Sequence, residues 1–323
     1  LDLFDSGRLW QDILPRESLV LRDHSTSNLL ETLFKGLTEP QVTMNPSEKT
    51  DSAAKIDSAE SSSRNAGISG GATAIVMAAG KGTRMKSELP KVLFPVLGRP
   101  MIHWVLDALE QAAVTRVLVV VGYRHEDVRR ELQGRKNVEF VLQEQQLGTG
   151  HAVQMCIPSL RAHADSVAGP VMVVAGDSPL VQSSSLGELL HAFGLGDFSC
   201  LLGTLIKPDP QGLGRIVRDA QGGFAKIVEQ KDASAEEAKI QEVNMSTYLF
   251  KQDRLIWALE RLGNNNAQNE YYLTDCPALL KEQGDRVDAL AALKACEALS
   301  INTIEELEKV EDKMKELGYR CKS

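Results

Sequence analysis

From residue 73 onward, short runs of β-branched residues alternate with amphipathic stretches, and this alternation limits the possible folds more than any other feature. Ala74-Ile75-Val76-Met77 reads as a strand, and residues 101–111 follow with helical spacing. The pattern then repeats: a strand at 117–121 and a helix at 126–132, a strand at 138–142 and a helix at 150–160, a strand at 171–175 and a helix at 184–193. The strands are apolar almost without interruption, so both of their faces must be covered. That is the signature of a parallel sheet with helices on both sides. Beyond Cys200 the pattern loosens into hairpin-like segments around Gly212-Leu213-Gly214-Arg215-Ile216 and Gln221-Gly222-Gly223-Phe224, which predicts a mixed sheet. Helical spacing resumes at Arg254, and a strongly charged helix is expected over 302–317. Sheets of this kind bind ligands beyond the carboxyl ends of their strands, so the loops there are the first place to look for function.

The loop after the first strand is Ala78-Ala79-Gly80-Lys81-Gly82-Thr83-Arg84-Met85, closed by Leu89-Pro90-Lys91. Two glycines let the backbone turn and expose its N–H groups, and Lys81, Arg84 and Lys91 add three cations. Exposed amides with fixed positive charge can hold a polyphosphate. A P-loop is excluded, because no glycine opens the required spacing. A dinucleotide fingerprint is excluded too: Met85 stands at its third glycine, and the second strand ends in Gly122-Tyr123-Arg124 rather than in an acid. A Gly-rich turn with solvated lysines remains the plain alternative.

Further candidates gather at the same sheet edge. Gln143 and Thr149 lie in Gln143-Glu144-Gln145-Gln146-Leu147-Gly148-Thr149-Gly150-His151 and can read a base edge, with Gly148 and Gly150 admitting close approach. The alternative is a turn with Thr149 as helix cap. Asp177, behind Gly176, offers a hard oxygen suited to Mg²⁺; alternatively it caps the helix after Pro179. Glu229 could accept sugar hydroxyls or be a solvated strand end. Asn244 is polar within an apolar strand and requires a partner, backbone or ligand. The Asn264-Asn265-Asn266 run reads as a loop without assigned chemistry.

Composition narrows the function class. A formal charge of −8 and 5% aromatic residues argue against nucleic-acid binding. The five cysteines form no C-x-x-C pair, and the histidines lack metal-ligand spacing, which fits neither a disulfide framework nor zinc. No apolar run approaches the ~20 residues of a membrane span, and no secretory apolar stretch opens the chain, so a cytoplasmic location is expected. Residues 1–37 hold Leu29, Leu30, Leu33 and Phe34 at helical spacing, a possible short helix. Residues 38–72 are polar and read as a flexible linker, and 73–323 as the catalytic domain.

Taken in order, A-A-G-x-G-T-R-M, L-P-K, Q-x-x-Q-L-G-T-G-H-A, G-D-x-P-L, G-x-G-R-I, I-V-E-x-K-D, E-x-N and N-N-N-A-Q-x-E-Y-Y-x-T-D resemble the uridyltransferase half of bacterial bifunctional UDP-N-acetylglucosamine pyrophosphorylases. The resemblance covers residues 73–321. It implies a glycosyltransferase-A-like, Rossmann-like nucleotidyltransferase fold, with a mixed, mainly parallel sheet flanked by helices. It also implies Mg²⁺-dependent conversion of UTP and N-acetylglucosamine 1-phosphate to UDP-N-acetylglucosamine and pyrophosphate.

By the same resemblance Ala78, Ala79 and Gly80 would line the nucleotide, and Arg84 and Lys91 would hold its phosphates. Gln143, Gly148 and Thr149 would read uracil. Asp177 and Asn302, the latter in Leu299-Ser300-Ile301-Asn302, would hold Mg²⁺, and Gly214, Glu229 and Asn244 would hold the sugar. The sequence departs from many relatives at Asn244-Met245-Ser246, where they carry Asn-Thr-Gly or Asn-Ser-Gly, and this predicts a reshaped sugar pocket. It also lacks the hexapeptide repeats of the acetyltransferase half, so neither that activity nor a trimer built on the repeats is expected. The alternatives are another sugar 1-phosphate or nucleotide, or a relative that binds a nucleotide-sugar without turnover. The set Arg84, Lys91, Asp177 and Asn302 argues against the last.

Overall fold

The computed structural model describes residues 71–320 apart from 83, 84, 86, 164–168 and 302. The N-terminal segment 1–37 and all of the expected linker save Gly71 and Ala72 therefore lie outside the described residues. So do Arg84, Asn302 and Cys321.

Among the described residues the chain forms β1 (Ala72–Ala78), a two-stranded ribbon of β2 (Pro95–Val96) and β3 (Arg99–Pro100), and α1 (Met101–Gln111). Next come β4 (Val114–Val121), α2 (His125–Leu132), β5 (Val138–Leu142), α3 (Thr149–Gln154), α4 (Ile157–Arg161), β6 (Val171–Ala175) and α5 (Ser183–Leu195). The second half adds β7 (Cys200–Ile206), β8 (Arg215–Arg218), β9 (Phe224–Val228), β10 (Glu242–Phe250), α6 (Gln252–Leu259), α7 (Cys276–Glu282), β11 (Val287–Leu290) and α8 (Ile304–Glu316). The main sheet runs β11-β7-β10-β6-β1-β4-β5, with the β8–β9 hairpin attached through β10. The pairs β5–β4, β4–β1 and β1–β6 are parallel, while β10 is antiparallel to both β6 and β7.

Side chains of β1 alternate between two apolar layers, as the two-residue repeat of a strand requires. Ala74, Val76 and Ala78 pack with Ile102, Val105 and Leu109 of α1 and with Leu186 and Leu189 of α5. Ile75 faces the other way, toward Val153, Leu160, Leu255 and Leu259. The sheet is thus mixed, mainly parallel, and helix-covered on both faces.

The expected helix over 150–160 is two short ones. Pro158 sits in the first turn of α4, where its missing N–H costs nothing; continued through Pro158, a single helix would lose an i→i−4 bond. The terminal helix starts at Ile304 rather than 302, because Thr303 caps it. The Thr303 hydroxyl accepts from the Glu306 N–H, and the Glu306 carboxylate accepts from the Thr303 N–H, both at 3.2 Å.

Helix α8 braces the segment that follows the first loop. Its Val310 and Met314 pack with Met85, Val96, Leu97, Trp104 and Ile301. Leu97 N–H donates to Glu311 Oε1 at 2.8 Å, and Trp104 Nε1 donates to Val96 O at 3.1 Å. The Trp104 ring meets Tyr319 edge-on at 5.5 Å. Truncating Trp104→Ala empties the centre of this cluster and should destabilise the domain by about 3–5 kcal/mol. Urea unfolding measures this, and a loss below about 1 kcal/mol would mean the brace carries little of the stability. Among the described residues no helix is long and apolar enough to cross a membrane, and Cys156, Cys200, Cys276 and Cys296 are unbridged.

Candidate active site

From β1 the chain goes out to β4 and β5, then returns to β6 on the other side of β1. The loops after β1 and β6 therefore diverge, and a crevice opens between them, the position where sheets of this class bind ligands. A cleft of about 430 Å³ lies there. Met77, Ala79 and Gly80 line it after β1; Gln143, Gln146, Gly148 and Thr149 after β5; Ala175 and Asp177 after β6; and Ser246 and Glu270 from farther along the chain.

The loop closes back on itself through Lys91. Gly82 has φ +67°, and a Cβ there would sit 2.7 Å from Lys91 Cβ, so both backbone and space call for glycine. Lys91 Nζ lies 2.5 Å from Asp177 Oδ2, the lysine side chain 14% and the aspartate 30% exposed. This joins the ends of β1 and β6 across the crevice. Asp177 is not a helix cap, since α5 begins six residues later with Gln182 at its N-cap. Lys81 Nζ rests over the Tyr123 ring at 5.1 Å.

The β5 loop is held from both sides. Gln146 Nε2 donates to Ala79 O at 2.9 Å, tying it to the β1 loop. Gln143, 3% exposed, donates from Nε2 to Gly148 O at 3.2 Å and lies 3.1 Å from His151 Nδ1. The glycines here also make room for another part of the chain, while Gly148 lines the cleft. A Cβ on Gly148 (φ +110°) would come within 2.6 Å of Tyr271 O, and one on Gly150 within 2.9 Å of the same atom. They admit the 270–273 segment, which is bonded by Gly150 N–H to Tyr271 O at 2.7 Å and by Tyr271 N–H to Leu147 O at 2.9 Å. Thr149 does not cap α3; its hydroxyl accepts from Leu273 N–H at 3.1 Å. Gly176 likewise faces protein: a Cβ there would lie 2.9 Å from Met77 O. Ala78 packs in the core, and Met77 and Ala79 line the cleft on either side of it.

The three residues expected at the sugar come together beside this cleft. Asn244 N–H donates to Gly214 O at 2.9 Å, and a Cβ on Gly214 would lie 3.2 Å from Ile227 Cγ2 and 3.6 Å from Glu229 Oε2. Asn244 has its partners within the protein: Nδ2 donates to the Tyr248 hydroxyl at 2.7 Å, and Oδ1 accepts from Ser246 N–H at 3.3 Å. The register of β10 slips between Asn244 and Thr247, and Ser246 is left-handed at φ +51°. Relatives' glycine would adopt that conformation without strain. The two substituted side chains therefore act at different places: Ser246 lines the main cleft, while Met245 packs beside Val243, Leu205 and Leu293.

Glu229 borders a second cavity of about 340 Å³, together with Asp232, Tyr272, Thr274 and Asp275. Its carboxylate accepts from the Thr274 hydroxyl at 3.1 Å. Burial above all, and then the carboxylates of Asp232 and Asp275, hold the Glu229 pKa above its ordinary value. A carboxyl whose pKa is higher folded than unfolded costs stability once ionised, and the loss sets in as pH rises past the ordinary value near 4.5. Glu229→Gln should therefore melt higher than the parent at neutral pH, with the gap closing below that value. Melting curves across pH test this; a gap that does not change with pH would contradict it.

Three residues at the site have no role assigned from the sequence, Gln146, Glu270 and Thr274, while Ser246 is expected to reshape the pocket. Glu270 and Thr274 sit in the E-Y-Y-x-T-D motif, which carried a signal without an assigned role. The triple-asparagine run has a structural task, since Asn266 Nδ2 donates to Glu270 O at 2.6 Å and its Oδ1 accepts from Glu270 N–H at 3.2 Å. No group of three or more His, Cys, Asp or Glu side chains forms a metal cage among the described residues. Asp177, a single carboxylate at the cleft, is the sort of donor Mg²⁺ takes when phosphates and waters complete its shell.

A family model described as the MobA-like NTP transferase domain matches residues 74–204. Similar curated proteins are the "Bifunctional protein GlmU" of an Exiguobacterium species, 45% identical over 71% of this chain and 49% of its own, and that of Exiguobacterium sibiricum, 43% identical over 75% and 53%. The same protein of Geobacillus thermodenitrificans is 44% identical over 71% and 49%. The chain thus spans about half the length of the curated relatives it matches. A solved Bacillus anthracis protein, assigned as a glucose-1-phosphate thymidylyltransferase, superposes with a TM-score of 0.62 at 18% identity, covering 77% of this chain and 97% of its own. Fold and cleft together define a nucleotidyltransferase domain of the mixed, mainly parallel α/β class. The chain belongs, more particularly, to the family of the bifunctional GlmU proteins, and it corresponds to their nucleotidyltransferase part.

Proposed function

We propose that this domain transfers a uridylyl group from UTP to N-acetylglucosamine 1-phosphate, releasing UDP-N-acetylglucosamine and pyrophosphate. The observation that carries this reading is the Lys91–Asp177 pair across the crevice, in a cleft also lined by Ala79, Gly80 and Gln143. In the proposed reaction an oxygen of the sugar phosphate attacks the α-phosphorus of UTP in line. The bond from that phosphorus to the bridging oxygen breaks, and pyrophosphate leaves with the electron pair. Two anions must meet, so charge neutralisation and positioning supply the catalysis. Lys91 and Arg84 would hold phosphates, and Ala79 and Gly80 would give the nucleotide a close backbone wall. Gln143 would read the base, with Gly148 and Thr149 shaping the loop that carries it.

Asp177 and Asn302 would hold Mg²⁺, which when bound supplies positive charge to the phosphate oxygens. Gly214, Glu229 and Asn244 would form the acceptor end, with Asn244 fixed by Tyr248 and Glu229 by Thr274. The test is pyrophosphate release with Mg²⁺, UTP and a panel of sugar 1-phosphates. Release is expected to be fastest with N-acetylglucosamine 1-phosphate. A clear preference for glucose 1-phosphate would replace the proposed acceptor, and no release with any sugar would overturn the reaction.

A further inference from the structure

The orientation of the Gln143 side-chain amide follows from what surrounds it. Its nitrogen is 3.2 Å from Gly148 O and 3.1 Å from His151 Nδ1. A carbonyl oxygen can only accept, so the amide nitrogen, and not its oxygen, must face Gly148. The second amide proton then points to His151, and Nδ1 must be an acceptor. His151 thus meets the Gln143 amide with the lone pair of Nδ1. Both amide protons are spent inside the protein, and Oε1 is the atom of Gln143 left for the cleft that this residue lines. The ring itself is held in place. His151 lies in α3, its ring 6.3 Å from that of Tyr271, which is bonded to the same loop through Leu147 and Gly150.

We propose that His151 is a positioning residue for base selection. By accepting from Gln143 Nε2 it keeps Gln143 Oε1 turned to the nucleobase as an acceptor. An acceptor there suits a pyrimidine whose facing ring nitrogen carries hydrogen, as N3 of uracil does. It opposes cytosine, whose N3 is bare and needs a donor. A reversed amide would invert that preference, and a loosely held one would lose it. The inference rests on the reading of this cleft as the nucleotide site in the proposed function.

The test measures kcat and KM for UTP and CTP with N-acetylglucosamine 1-phosphate, alongside calorimetric affinities of both nucleotides without sugar. The proteins are the full chain, His151→Phe, which keeps a ring and loses the acceptor, and His151→Asn, which keeps an acceptor near Nδ1 and loses the ring. The Phe variant should lower the preference for UTP over CTP by about tenfold. The change should lie mainly in KM and affinity, with kcat for UTP within about threefold of the parent. The Asn variant should restore the preference to within about threefold of the parent. If His151→Phe does not fold, His151→Ala carries the same expectation. An unchanged preference in Phe, or one lost in Asn and kept in Phe, would overturn the proposal alone. A parent protein that does not prefer UTP would overturn both the base-reading role of Gln143 and this proposal.

Discussion

Asp177→Ala is expected to lower turnover about a thousandfold or more while the domain stays folded. Asp177 sits where the loops of β1 and β6 part, and its carboxylate faces the cleft with Lys91 Nζ 2.5 Å away. Removing it takes away the described carboxylate proposed to hold Mg²⁺ and leaves Lys91 without this counter-ion. The stability cost should be small, about 1–2 kcal/mol, because the aspartate is 30% exposed and water can take its place beside Lys91. Turnover at saturating UTP and sugar phosphate, read beside a thermal melt, separates the two effects. Activity within about threefold of the parent would remove Asp177 from the reacting site.

Lys91→Met should lower turnover about a hundredfold. Methionine approximates the buried stem of the lysine and removes only the charge, so packing against Gly82 is largely kept. The approach of sugar phosphate to triphosphate then loses one of the cations that offset their repulsion. Arginine should not restore full activity, since its planar fork cannot occupy the place of a point charge 2.5 Å from Asp177. Because Lys91 and Asp177 touch, their losses should not add: the double variant is expected to resemble the more impaired single one. Full additivity in turnover would mean that the two side chains act independently.

Much of this fold is legible in the sequence because its strands are buried on both faces. Runs such as 117–121 and 171–175 are buried almost throughout and have no polar residue to blur their ends. The first helix is equally clear, entered directly from Pro100. The local signal fails where the deciding contact is remote. Gly148 and Gly150 read as room for a ligand, and nothing local reveals that they also make room for Tyr271, more than a hundred residues on. The register of β10 slips between Asn244 and Thr247, and the glycine that many relatives carry at 246 is the one sequence signal that Ser246 is left-handed there. As cleft-lining positions Asp177 and Gln143 are legible because both lie just past strand ends, where topology dictates the ligand edge. Their partners Lys91 and His151 fix what they can do, and that pairing becomes visible only in three dimensions.

In the proposed reaction the cleft between Gly80 and Asp177 moves a nucleotidyl group onto a sugar phosphate. UTP labelled at its α-phosphorus, incubated with Mg²⁺, N-acetylglucosamine 1-phosphate and the protein, tests it most directly. The label should appear in a nucleotide-sugar, with unlabelled pyrophosphate in equal amount, and both should be lost in Asp177→Ala. Label that stays in UTP, or that appears in UMP without a nucleotide-sugar, would contradict it.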